Sequence, residues 1–149
     1  MKIIYYSYTG AHSAVIAAGI HLGTLTSQKI GRSQLVELPL FASPPLLYQL
    51  NYYSFGNDLF TLGVGHELIL VPKSIISFLS LYKIRGTEIK LINTMLPLKN
   101  LTCIGERMAS AGMNTLGTRI FLHAMVRDYE KLYQYLKEKQ IAVNDVNPV

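Results

Sequence analysis

Apolar residues in this chain fall into short unbroken runs and into stripes at helical spacing, and their order predicts the elements. Lys2–Tyr6 is β-branched and aromatic, as in a strand buried on both faces. After a turn at Thr9-Gly10, Ser13–Leu22 reads as a helix. Its stretch from Ala14 to Ile20 is apolar almost all round, and Gly23 can end it in the left-handed conformation. Thr24–Pro45 is a long connection broken by Pro39, Pro44 and Pro45, with a short helix around Ser33–Val36. Leu46–Tyr53 and Leu59–Val64 flank the turn cluster Phe55-Gly56-Asn57-Asp58 and predict a β-hairpin. Pro72 opens a helix with Ile75, Ile76, Leu79 and Tyr82 at helical spacing, and Gly86 closes it. Glu88–Asn93 is a strand. Leu98–Leu116 is punctuated by glycine and holds a short helix around Glu106–Ala111. Phe121, Met125, Tyr129, Leu132 and Leu136 form the clearest stripe, on a long amphipathic helix. The expected fold is α/β, a three-layer sandwich: a mostly parallel central sheet, a β-hairpin and the long C-terminal helix, in one domain over residues 1–140 with a flexible tail over 141–149.

Composition narrows the function classes. With 149 residues, 50% hydrophobic and 15% charged, the chain can bury a real core and is neither disordered nor a disulfide miniprotein. A net charge of +5 without any Lys or Arg cluster gives no nucleic-acid face. Cys103, the only cysteine, excludes an internal disulfide and points to a reducing cytoplasm. Residues 3–28 lack charge, yet Ser7–Ser13 interrupts them far short of the roughly 20 apolar residues of a transmembrane helix. The apolar start after Lys2 is also too short for a signal peptide.

The loop after the first strand carries the candidate chemistry. Strand, glycine turn and helix place unpaired N–H groups and partial positive charge at the carboxyl end of a strand, a natural anion site. Ser7, Thr9, His12 and Ser13 surround Gly10 and Ala11 with hydroxyls and an imidazole. Ser7-Tyr8-Thr9-Gly10 resembles the flavodoxin phosphate loop, and Gly10-Ala11-His12-Ser13 resembles the end of a Walker A loop with His12 in place of its Lys. The bland alternative is that Ser7 and Thr9 satisfy turn backbone while Ser13 or His12 caps the helix. No cofactor is named by these residues. A flavin would have to stack on some of the ten Tyr, since there is no Trp.

Other polar residues are weaker candidates. His12 and His21, nine apart, face opposite sides of one helix, and His21 suits the helix's C-terminal carbonyls. His66-Glu67, after the hairpin, would give a zinc or acid–base cluster if it met His12 across the sheet edge. Arg107 and Arg119 border the segment holding Gly105, Gly112 and Gly117, where one of them can clamp an anion or pair with Glu106 or Asp128. Asn93-Thr94 ends a strand at the same side. His123 and Cys103 read as structural.

The stretch Ile3–Tyr6, Gly10-x-His12-Ser13 and Ala17-Ala18-x-Ile20-His21-Leu22-Gly23 resembles a small domain-of-unknown-function family from spore-forming Gram-positive bacteria. Looser likeness runs through Leu62-Gly63, Asn93-Thr94, Asn100, Ile104-Gly105 and Leu116-Gly117. The chain departs from that pattern at Thr9, where a second glycine is usual, and at Thr118, which separates Gly117 from Arg119. The resemblance implies a bacterial cytoplasmic protein with a sporulation link, and no reaction.

Two functions follow as expectations. In the first, a small phosphorylated or carboxylated molecule binds at Ser7, Thr9, Gly10, Ala11, Ser13 and Arg119, with His12 and His66 as catalytic groups; His12→Ala then weakens binding and spares the fold. In the second, the protein is a non-enzymatic accessory that pairs with itself as a homodimer, or with a partner, through apolar surface such as the Tyr-rich hairpin Tyr48–Phe60.

Overall fold

The computed structural model describes residues 1–26, 29–43, 51–83 and 88–144. Its elements are β1 (Lys2–Ser7), α1 (Ser13–His21), α2 (Arg32–Val36), β2 (Asn51–Ser54), β3 (Leu59–Gly63), α3 (Leu70–Leu81), β4 (Ile89–Asn93), α4 (Asn100–Ser110) and α5 (Asn114–Asn144). The four strands form one sheet in the order β2-β3-β1-β4. β1 lies parallel to both neighbours, with Tyr5 opposite Thr61 of β3 and Ile92 of β4. β2 pairs antiparallel with β3, Tyr52 opposite Leu62, which is the expected hairpin. Residues 46–50 of that hairpin, the closing Gly86 and residues 145–149 of the tail lie outside the described residues.

The connection from β1 to β3 steps one way across the sheet and that from β3 to β4 steps back. Parallel crossovers are right-handed, so α1 and α3 take opposite faces and the sheet is the middle of three layers. The two faces are unequal. Ile3, Tyr5 and Ser7 are buried beneath α1, while Ile4 and Tyr6 are only half-buried. On α3 only Pro72 is buried, and Ile76 and Tyr82 of the predicted stripe face outward. Pro72 sits inside the first turn, where a missing N–H costs nothing.

The sequence reading fails most at residues 98–120. In place of a short helix around Glu106–Ala111, α4 spans eleven residues from Asn100, and α5 begins at Asn114, seven before the expected stripe. Gly105 and Gly117 lie inside these two helices and let their backbones touch. A Cβ at Gly105 would fall 2.5 Å from Phe121 N, and one at Gly117 would fall 2.4 Å from Ala109 N. Close packing therefore outweighs the weak helix propensity of glycine. Among the described residues, no helix is long and apolar enough to cross a membrane.

Candidate functional site

The loop between β1 and α1 closes tightly. Gly10 takes φ +71° with its α-carbon side against Gly63, where a Cβ would meet Gly63 N at 2.4 Å, so only glycine fits. Ser7, Thr9, Gly10, Ala11, His12 and Ser13 are all buried, and their polar groups are spoken for. Gly10 N–H donates to Ser7 Oγ at 3.0 Å. Thr94 donates its hydroxyl to Tyr6 O, and Ser13 Oγ lies 2.9 Å from Thr94 Oγ1 and 3.2 Å from Met95 Sδ. Neither His12 nor Ser13 caps α1 with its side chain.

The cap comes from far along the chain. Glu106 of α4 is fully buried, and its Oε1 accepts the Thr9 N–H at 3.4 Å and the Thr9 hydroxyl at 3.0 Å. Its Oε2 accepts Ser13 N–H at 3.3 Å. A carboxylate thus occupies the place at the helix N-terminus where an anion is favoured. The sequence reading treated Glu106 only as an ion-pair partner. It lies on the buried stripe Thr102, Gly105, Glu106, Ala109, a helical spacing that becomes legible only if α4 starts at Asn100.

Proton counting fixes the state of His12. Thr9 has one hydroxyl proton, given to Glu106, and its Oγ1 also accepts Ala11 N–H at 3.1 Å. His12 Nδ1, 2.7 Å from the same oxygen, must then be the donor. Burial pushes the imidazole pKa below its usual value, with the Glu106 charge pulling weakly back, so the ring is neutral. Nε2 is left as an acceptor, and the Thr118 hydroxyl stands 2.8 Å from it. The rings of Phe41 and Phe121 meet His12 edge-on at 5.5 and 5.1 Å. A residue so enclosed packs as part of the core.

Thr118 opens this buried chain to a cleft of about 280 Å³, lined by Arg32, Val36, Phe41, Asn114, Arg119 and Leu122 among others. Arg32 and Val36 come from α2, Phe41 from the following turn, and Asn114, Thr118, Arg119 and Leu122 from the first turns of α5. Leu40 and Ala42, on either side of Phe41, have φ of 64° and 54°. Two L-residues held in the left-handed region mark a strained wall, tied down by Ala42 N–H donating to Ala11 O at 2.8 Å. Neither Arg32 nor Arg119 has an ion-pair partner among the described residues.

A family model matches residues 2–140, with the description protein of unknown function (DUF3189). The chain belongs to this family. No curated protein and no solved structure matches it. Thr9 and Thr118 are the two hydroxyls that hold His12.

Other predicted residues stand apart. His66 is exposed with its ring 6.4 Å from that of Tyr8, and it does not join His12. Among the described residues no three His, Cys, Asp or Glu side chains are grouped to hold a metal ion. His21 accepts from or donates to Tyr5 Oη at 2.9 Å and makes no use of the helix-end carbonyls. Arg107 and His123 are exposed, and burial raises the Cys103 thiol pKa, which leaves it protonated and inert. Glu106 and Asp128 spend their oxygens on backbone and hydroxyl donors, not on Arg107 or Arg119.

Proposed function

We propose that this protein binds a small phosphorylated or carboxylated molecule in the cleft between α2, the Phe41 turn and the start of α5. One observation carries the reading: Arg32 and Arg119, which have no ion-pair partner among the described residues, share a 280 Å³ cleft with a hydroxyl wired to a buried histidine. Guanidinium forks match the oxygens of phosphate and carboxylate, and the α5 N-terminus adds favourable dipole. Val36, Phe41 and Leu122 supply an apolar wall for the body of the ligand. The loop Ser7–Ser13 serves from behind: its own anion position holds Glu106, so its part is to seat His12. The single thiol suits action in the cytoplasm. Calorimetric titration with phenyl phosphate and with benzoate tests this. Arg119→Ala and Arg32→Ala should each weaken binding about tenfold. No binding of either probe at millimolar concentration removes the reading.

A second reading, pairing with a partner or a second copy, is favoured by α3. This helix and its start expose Ile69, Leu70, Ile76, Phe78, Leu81 and Tyr82, more contiguous apolar side chain than an isolated surface residue explains. Light scattering decides it: a dimer that Phe78→Glu splits supports the reading, and a monomer at all concentrations ends it.

A further inference from the structure

Binding alone needs Arg32 and Arg119, and it gives no reason for the buried chain behind Thr118. That chain runs in one direction. Glu106 accepts from Thr9, Thr9 accepts from His12 Nδ1, and Nε2 faces the Thr118 hydroxyl as a base. Thr118 is half-buried on the cleft wall, so one side of its oxygen meets the imidazole and another meets the cleft. A nucleophile, a base in hydrogen-bond reach and a third group that orients the base form the arrangement that activates a hydroxyl. Here the third group acts through Thr9, which makes Thr9 and Glu106 positioning residues.

We propose that Thr118 is a nucleophile that accepts a phosphoryl group from a phosphate monoester with an apolar body. This rests on the cleft being the anion site. Two guanidinium groups at one cleft suit the three outer oxygens of a transferring phosphoryl group, whose charge they neutralise. Thr118 Oγ1 forms a bond to phosphorus while the ester P–O bond breaks, its electron pair leaving with the alcohol oxygen. The Thr118 proton passes to His12 Nε2, and the departing oxygen takes a proton from water in the cleft, leaving hydroxide. Hydroxide then attacks phosphorus, the Thr118 P–O bond breaks, and the proton held on Nε2 returns to Oγ1. The sum is monoester plus water to alcohol plus phosphate. Burial works against the imidazolium that forms, and the Glu106 charge beyond Thr9 offsets part of that cost.

The test uses the whole chain and p-nitrophenyl phosphate, read by nitrophenolate release and by the mass of the Thr118 peptide after acid quench. Turnover should fall about 100-fold or more in Thr118→Val and in His12→Gln, and Thr118→Ser should stay within about tenfold of the native rate. Melting curves establish that each variant is folded, and phenyl phosphate should bind Thr118→Val within a few-fold of native affinity. Arg119-dependent binding of phenyl phosphate without nitrophenolate release refutes the nucleophile and leaves the binding site standing. Turnover by Thr118→Val at the native rate refutes it too. Failure of the native chain to bind phenyl phosphate removes both.

Discussion

Among the helices that begin without a side-chain cap of their own, α1 and α4 each borrow a carboxylate from a later helix. Asp128 of α5 serves α4: a single oxygen, Oδ2, accepts the Lys99 N–H and the Thr102 hydroxyl, both at 2.7 Å. Glu106 of α4 serves α1 with both oxygens and longer bonds of 3.0 to 3.4 Å. The Asp128 cap is closed, with only a hollow of about 90 Å³ beside it. The Glu106 cap continues through Thr9 to His12 and out to the cleft. The same electrostatic device is thus structural at one end and wired at the other. What separates them is the residue between acid and solvent. Thr102 ends its chain on the carboxylate, whereas Thr9 passes the interaction on to an imidazole.

Both caps depend on how closely α4 and α5 approach, and the sharpest way to break them together is at the glycines that set this distance. Gly117→Ala puts a methyl 2.4 Å from Ala109 N and 2.5 Å from Gly105 O, both backbone atoms that no rotamer change can clear. We expect a loss of about 3 kcal/mol in urea unfolding, at the upper end for overpacking. A loss below about 1 kcal/mol would show that the helices can part without cost.

Amide isosteres separate the two caps next. In Asp128→Asn one oxygen can still accept both bonds, so the cost should be about 1 kcal/mol. In Glu106→Gln one of the two buried N–H groups must face an NH₂, so about 2 kcal/mol is expected. If that NH₂ turns toward Thr9, the Thr9 proton swings to His12 Nδ1 and the imidazole changes tautomer. Nitrogen-15 spectra of His12 should then report protonated Nε2 in Glu106→Gln and protonated Nδ1 in the native chain and in Asp128→Asn. Identical tautomers in all three would break the distinction between the caps.

The contrast also marks how far sequence carries. β1, α1 and β3 follow from short apolar runs, β4 from a run whose buried member is Ile92, and α5 from its helical stripe. The loop around Gly10 was legible as an anion site for the same local reason. Its occupant was not, since Glu106 lies 97 residues from Thr9 and no spacing rule spans that distance. α4 was hidden twice, by the weak helix propensity of Gly105 and by a buried stripe made of Thr102, Gly105, Glu106 and Ala109. Arg119 stood out in the sequence as a candidate and Arg32 did not. Arg32 enters the cleft through the fold of a connection whose sequence shows only prolines and a short helix.

Acidification should act on the Glu106 side through His12. Its pKa in the folded chain lies below the usual 6.5 because of burial, so the unfolded chain takes up the proton first. Its contribution to stability is complete above about pH 6.5 and is lost as pH falls toward the lowered folded value, with a slope of at most about 1.4 kcal/mol per pH unit. His21, lowered by burial and then by Lys137, adds the same sign. Urea midpoints between pH 7.5 and 5.5 should therefore decline, and less steeply in His12→Gln. An equal slope in the variant would mean that His12 takes up its proton as readily folded as unfolded.

The smallest effect belongs beside the closed cap. Tyr129 follows Asp128 on α5 and is buried, yet its hydroxyl has no hydrogen-bond partner among the described residues, and the same holds for Thr61 on β3. Burial, with a lesser push from Tyr133, raises the Tyr129 phenol pKa to about 12, so the group stays neutral and pays only the desolvation of an unmatched O–H. Tyr129→Phe removes that hydroxyl without disturbing the Lys99 and Thr102 bonds to Asp128. Stability should stay level or rise by up to about 1 kcal/mol. Thr61→Val should do the same at the sheet, where a β-branched side chain of similar shape keeps the pairing with Tyr5. If Tyr129→Phe instead cost more than about 1 kcal/mol, its hydroxyl would belong to the Asp128 network, and the closed cap would extend further into the core than Oδ2 alone indicates.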